Sequence, residues 1–172
     1  MPELVPVFTK DQIQKMVAAV ARRISYDYKG RTRVLVGVLN GAFMFLADLV
    51  RELSIPVQID FVRVASYGAG TASSGKINLT KDLELDIQNK DVLVIEDIVD
   101  TGLTLSCLID HLKSFGPRSV RVCALLDKRE RRERAVPVDY TCQVVKKGFL
   151  VGYGLDYAED YRSLQEIYHL KL

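Results

Sequence analysis

The sequence is short of several things, and each shortage closes off a class of function. Only two histidines occur in 172 residues, His111 and His169. With so few, and no nucleophile elbow, a hydrolase triad has no material to form from. Cysteine is scarce and odd in number. Cys107, Cys123 and Cys142 are widely spaced and make no C-x-x-C pair, so they read as buried free thiols of a reducing compartment. Cys107 and His111 stand four apart on a helical pattern, but two residues do not make a metal site. Net charge is only +2, which argues against bulk nucleic-acid binding. Long apolar runs are missing too: the most apolar region, residues 34–50, is broken by Asn40-Gly41 and Asp48 and is too short to be read as a membrane span. Met1-Pro2-Glu3-Leu4-Val5 lacks the basic-then-apolar form of a signal peptide. No repeat, linker or second domain is visible, so residues 1–172 are expected to form a single soluble domain of the cytoplasm.

What remains is an ordinary globular composition, 48% hydrophobic and 27% charged, long enough to enclose a good core. Its organising stretch is Val92 to Thr104. Val92-Leu93-Val94-Ile95 is a short apolar run, three of the four β-branched, suited to a strand buried on both faces. Glu96 and Asp97 sit where that run ends. Asp100 then opens the tight segment Asp100-Thr101-Gly102-Leu103-Thr104, and Leu105 to Phe115 reads as a helix stopped by Gly116-Pro117. In parallel α/β sheets, ligands bind beyond the carboxyl ends of strands. A Thr/Gly turn at a helix start offers N–H groups, hydroxyls and a positive dipole end to a phosphate. One stretch therefore supplies acceptors for hydroxyls or a hydrated metal, a candidate general base and a phosphate cradle.

The flanking chain repeats the strand-then-helix alternation. Thr9 and Gln12 form a capping box for an amphipathic helix carrying Ile13, Met16, Val17, Val20, Ala21 and Ile24. Val34 to Leu39 is a second buried strand running into Asn40-Gly41, with a helix from Ala42 to Leu53; the layout makes a second anion site or a plain strand-to-helix turn. Val57 to Val64 is a strand, with Asp60 and Arg63 placed for pairing or an edge. Ser66 to Lys76 is rich in Gly and Ser and suits a mobile lid. Gly70 to Lys76 nearly spells a P-loop, but Ile77 stands where a hydroxyl must hold Mg²⁺, and Ile77-Asn78-Leu79-Thr80 alternates like a strand. Val120 to Leu126 is a further strand, followed by the mixed charges Asp127 to Arg134, mostly a solvated loop. Cys142 to Val145 and Phe149 to Tyr157 are expected to close the sheet. The alternation predicts an α/β domain with a mainly parallel sheet.

Ile95-Glu96-Asp97-Ile98-Val99-Asp100-Thr101-Gly102-Leu103-Thr104 resembles the phosphoribosyl-pyrophosphate-binding motif of type I phosphoribosyltransferases. The Ile98-Val99 insert resembles the hypoxanthine-guanine branch. The resemblance implies that family's fold, a mainly parallel twisted sheet flanked by helices with a small hood from the chain ends. It implies purine salvage: transfer of 5-phosphoribosyl from 5-phosphoribosyl 1-pyrophosphate to hypoxanthine or guanine, giving IMP or GMP and pyrophosphate. By the same resemblance Glu96 and Asp97 serve the ribose hydroxyls and Mg²⁺, Asp100 is the general base, and Thr101 to Thr104, with Leu103 and Gly102, hold the 5′-phosphate. Asn40, Gly41 and Arg162 bind pyrophosphate, although the family often has Lys where this chain has Asn40. Lys128, Phe149 and Leu150 bind the purine, Asp156 is a metal ligand beside it, and Ser66 and Tyr67 belong to a lid spanning about residues 66–78. The implied partners are small-molecule substrates and further copies of the chain, as a dimer or tetramer. Two other readings stay open: an RNA-binding regulator of the same fold using Lys128 to Arg134, and a nucleotide-binding protein without turnover.

Overall fold

The computed structural model describes residues 2–65 and 77–172; Ser66, Tyr67 and most of the expected lid lie outside them. The chain runs β1 (Glu3–Phe8), α1 (Lys10–Asp27), β2 (Arg33–Leu39), α2 (Phe43–Glu52), β3 (Gln58–Val64), β4 (Leu79–Lys81), β5 (Asp91–Val99), α3 (Leu103–Lys113), β6 (Ser119–Lys128), β7 (Tyr140–Val145), β8 (Leu150–Val151) and β9 (Ile167–Lys171). Six strands make one sheet in the order β4-β3-β2-β5-β6-β7. All its pairs are parallel except β3 with β4.

The central strands are buried on both faces because their side chains alternate between two cores. Leu35, Leu93, Ile95, Cys123 and Leu125 pack with the apolar stripes of α1 and α2. Val34, Val36, Val92, Val94, Val122 and Ala124 pack with Leu105, Leu108, Ile109 and Leu112 of α3. Helix α1 starts where the capping box requires: the Gln12 N–H donates to Thr9 Oγ1 at 3.2 Å, and the Thr9 N–H donates to Gln12 Oε1 at 2.8 Å. Such a cap is worth about 1 kcal/mol. The α3 helix begins two residues earlier than its apolar pattern suggests, because Gly102 turns the chain directly into it. Of the two readings for Asp60 the pairing one holds, with Lys81 Nζ 3.4 Å from its Oδ1. Asp60 is buried and accepts the N–H groups of Phe61, Glu84 and Leu85 at 2.8, 2.8 and 2.9 Å.

The expectation for Phe149 to Tyr157 fails. Only Leu150–Val151 is extended, and it pairs antiparallel with β9, which pairs with β1 in a separate three-stranded sheet. The chain cannot continue as a strand of the main sheet because Gly152, Tyr153 and Gly154 all take positive φ, at 98°, 52° and 96°. This small sheet, built from both chain ends, forms the hood over the carboxyl ends of the main strands.

Strand order places the site. The chain leaves β2 to one side for β3 and returns on the other side as β5. Ligands of open α/β sheets bind at such a switch point, beyond the strand ends. Asn40-Gly41 follows β2 there, and Glu96 to Thr104 follows the part of β5 that pairs with β2, with Glu96 to Val99 still within β5.

Candidate active site

The Asp100–Thr104 turn encloses a small cavity of about 160 Å³ lined by Glu96, Ile98, Val99, Asp100, Thr101, Gly102, Thr104 and Leu105. Gly102 is the N-cap of α3 with φ 83°, a left-handed conformation that suits glycine. Having no side chain, it leaves the first-turn N–H groups without a cap. The nearest substitute is a long 3.4 Å contact from the Leu103 N–H to Thr101 Oγ1. Uncapped N–H groups, the half-buried Thr101 hydroxyl and the exposed Thr104 hydroxyl make a cradle for a phosphate dianion.

Asp100 borders that cradle. Its Oδ2 lies 3.4 Å from Arg131 Nη1, and its Oδ1 is buried with no hydrogen-bond partner among the described residues. A carboxylate oxygen held out of water without a donor is costly. Here it is an acceptor left open beside the cradle.

Glu96 and Asp97 are adjacent, partly buried and mutually repelling. Burial and then the neighbouring Asp97 charge push the Glu96 carboxyl well above its ordinary 4.5. Burial also raises Asp97, with Arg162 pulling the other way. A carboxylate pair driven toward protonation is one that a divalent cation would relieve. Among the described residues no three His, Cys, Asp or Glu side chains group to hold a metal by themselves.

The raised carboxyl has a stability consequence. Between pH 4.5 and its raised value, Glu96 holds a proton when folded that the unfolded chain has already lost. Stability therefore falls as pH rises through that window. In metal-free protein, Glu96→Gln is expected to flatten this fall, with a higher melting temperature near neutrality. Melting curves of both proteins from pH 4 upward check it; equal slopes would contradict it.

The Asn40-Gly41 turn, which begins with a cis Leu39–Asn40 peptide, comes against this pair. A Cβ on Gly41 would overlap the Asp97 carboxylate. Beyond it, Gly154 of the hood packs so closely that a Cβ there would meet the Gly41 carbonyl. Gly41→Ala is thus expected to displace Asp97 and, with the sugar and purine substrates that the motif's resemblance implies, to cost up to about 10²-fold in efficiency on the phosphorylated sugar. Steady-state kinetics with unaltered purine affinity would match this; wild-type efficiency would not.

The hood contributes Arg162. Its Nη1 donates to the Gly154 carbonyl at 2.7 Å, its Nη2 lies 3.4 Å from Asp156 and 3.2 Å from Glu159, and its Nε is buried without a partner among the described residues. Asp156 is half-buried and also accepts the Glu159 N–H at 3.0 Å. Lys128 ends β6, the strand beside β5, and is only 7% exposed. No carboxylate lies within salt-bridge distance of it among the described residues. Phe149 is 48% exposed, so it is not core, and its ring meets Tyr157 edge-on at 5.6 Å. Leu150 is buried at the start of β8.

A family model for the phosphoribosyl transferase domain matches residues 8–158. The chain belongs to the phosphoribosyl transferase family. Among its relatives is the hypoxanthine-guanine phosphoribosyltransferase of Mycobacterium avium, 44% identical over 167 residues that cover 94% of this chain and 82% of the relative. The bifunctional protein TilS/HprT of Listeria innocua is 44% identical over 165 residues, 96% of this chain, which spans 26% of that protein's length. In structure, the chain is similar to a hypoxanthine-guanine phosphoribosyltransferase from Bacillus anthracis, with TM-score 0.93, 40% identity, and 98% and 99% of the two chains covered. The fold, the hood included, is the type I phosphoribosyltransferase fold of that neighbour.

Within this phosphoribosyl transferase most of the charged run Asp127–Arg134 is exposed, as a solvated loop would be, but Asp127 and Arg132 turn inward. Asp127 is 1% exposed and accepts from Arg129 Nε at 3.0 Å and Arg132 Nη2 at 2.5 Å. Arg131 faces Asp100. Three of the arginines are engaged with carboxylates, which leaves less free basic surface for RNA. Arg132 and Asp127 are the site-proximal residues that sequence reasoning missed. An alternating charge run gives no sign of which member turns inward. Tyr153, whose hydroxyl donates to Asp48, escaped notice because its partner lies 105 residues away in the chain.

Proposed function

We propose that this phosphoribosyl transferase joins a 6-oxopurine, hypoxanthine or guanine, to 5-phosphoribosyl 1-pyrophosphate. The products are the nucleoside 5′-monophosphate and pyrophosphate, as in cytoplasmic purine salvage. The observation that carries this reading is Lys128: a lysine only 7% exposed, with no carboxylate partner among the described residues, at the end of the strand that neighbours β5 and its phosphate cradle. Its stem is held in place by burial, and a purine 6-oxo group would give its ammonium an acceptor.

The chemistry gives each residue its work. Departure of pyrophosphate develops positive charge at the anomeric carbon, so fixed negative groups near the ribose matter most. Glu96 and Asp97 accept from the 2′- and 3′-hydroxyls. Thr101, Gly102, Leu103 and Thr104 hold the 5′-phosphate. Asp100 takes the N7 proton as N9 attacks. Asn40 and Gly41 offer backbone donors to the pyrophosphate, and Arg162 adds its charge. Phe149 stacks on the base while the Leu150 backbone meets its edge. Mg²⁺ would be held at the Glu96–Asp97 pair and, separately, at Asp156, in each case completing its shell from water and substrate oxygens, and would neutralise the departing pyrophosphate. Ser66 and Tyr67 are assigned by resemblance to a lid that keeps water out. Residues 1–172 as one domain, and assembly into a dimer or tetramer, complete the proposal on the same footing. No helix among the described residues is long and apolar enough to cross a membrane.

Turnover with hypoxanthine tests it. Nucleotide and pyrophosphate should appear in equal amounts and stop on chelation of Mg²⁺. Pyrophosphate without nucleotide would make the protein a hydrolase of the sugar, and neither product would leave it a binding protein.

A further inference from the structure

Arg132 sits behind the site and faces no ligand, yet it touches the backbone of both residues on which the proposed chemistry turns. Its Nε donates to the Asp100 carbonyl at 2.8 Å. Its Nη2 lies 2.5 Å from Asp127 Oδ1, 3.3 Å from the Val99 carbonyl and 3.3 Å from the Lys128 carbonyl. Val99 and Asp127 are themselves register partners across β5 and β6, so one guanidinium spans the carboxyl ends of both strands. The same turn backs the phosphate cradle, because the Glu133 and Arg134 N–H groups donate to the Thr101 carbonyl at 2.8 and 3.0 Å. A Cβ on Gly102 would run into the Arg134 carbonyl. The arrangement needs donors at fixed angles on one rigid plane, which arginine has and lysine lacks. Asp127, almost wholly buried, holds that plane in place.

We propose that Arg132 is a positioning residue that ties the Asp100 backbone to the Lys128 backbone, so that the proton acceptor and the purine 6-oxo donor keep the spacing of one bound base. The proposal rests on the assignment of Asp100 as general base and Lys128 as purine contact. It gives the charged run after β6 a part in catalysis without contact to substrate. A misplacement of about 1 Å at the reacting groups costs on the order of 10²-fold in rate, which sets the size of effect to look for.

The test is a double-mutant cycle between Arg132→Lys and Asp100→Asn, read as kcat and as the KM of each substrate. Arg132→Lys retains the cation beside Asp127 and loses the fork to Asp100 and Lys128. Alone, it should lower kcat by about 10²-fold and raise the purine KM, with the sugar KM nearly unchanged. On the Asp100→Asn background it should lower kcat little further, since the base it positions is already gone. Losses that multiply in the double variant, an equal rise in both KM values accompanying a lowered melting temperature, or wild-type kcat in Arg132→Lys would each overturn the proposal. Should Arg132→Lys fail to fold, Asp127→Asn, which preserves shape and removes the charge that orients the guanidinium, takes its place in the same cycle with the same outcomes. Failure of the underlying assignment looks different: Asp100→Asn by itself would then turn over at the wild-type rate.

Discussion

Lys128→Ala is expected to lower efficiency on hypoxanthine and guanine and to narrow the gap between these bases and adenine. The lysine is the last residue of β6 and its stem is nearly buried, so its ammonium is held in a fixed place and would serve as a donor to the bound base. An ammonium only donates. It matches a carbonyl oxygen at purine position 6 and opposes the amino group that adenine carries there. Sites built to hydrogen-bond a substrate group reject an analogue that cannot pair, by around 10⁴-fold in favourable cases. Removing the donor abolishes both the reward and the penalty, so most of that gap should close. Phe149 serves as the control. Its half-exposed ring offers a face to any purine, and stacking of a base on an aromatic is worth about 1–3 kcal/mol whichever base it is. Phe149→Leu should therefore weaken all three bases alike. Values of kcat/KM for hypoxanthine, guanine and adenine in the three proteins decide the matter. An unaltered base preference in Lys128→Ala would return that residue to the solvated charges around it.

Asp100→Asn should retain substrate binding and lose turnover, by roughly 10²–10⁴-fold if the carboxylate acts as general bases commonly do. The substitution is nearly isosteric. It leaves the Asp100 carbonyl free to accept from Arg132 and the Thr101–Thr104 cradle intact, so a change in KM for the sugar is not expected. What it removes is the proton-accepting oxygen, Oδ1, which lacks a partner among the described residues. Rates at saturating purine isolate this step from binding. Undiminished turnover there would take Asp100 out of the chemistry and leave it as the lip of the phosphate cradle.

The centre of the site was legible because its signals are local. Four apolar residues, two carboxylates and a Thr-Gly turn before a helix give strand, tip and anion cradle within thirteen residues, and the β5–α3 unit has that form. The α1 cap was legible for the same reason, since Thr9 and Gln12 are three apart. Long-range geometry was not. Nothing in Phe149 to Tyr157 says that positive φ at Gly152, Tyr153 and Gly154 will carry the chain out of the main sheet to pair with the C-terminal strand. Nor does the run Asp127 to Arg134 say that its first residue is buried and its sixth reaches back to β5. Asp60 could be read only as placed for pairing or an edge, because two of its three N–H donors, Glu84 and Leu85, lie more than twenty residues away. The closeness of Gly41 to Asp97 is likewise invisible until β2 and β5 are neighbours.

The recognition of a 6-oxopurine is tested most directly by competition. Hypoxanthine, guanine and adenine at equal concentration, with 5-phosphoribosyl 1-pyrophosphate and Mg²⁺, compete for one enzyme. The ratio of nucleotides formed early in the reaction then equals the ratio of kcat/KM values. The account predicts IMP and GMP with negligible AMP; a substantial share of AMP would contradict it.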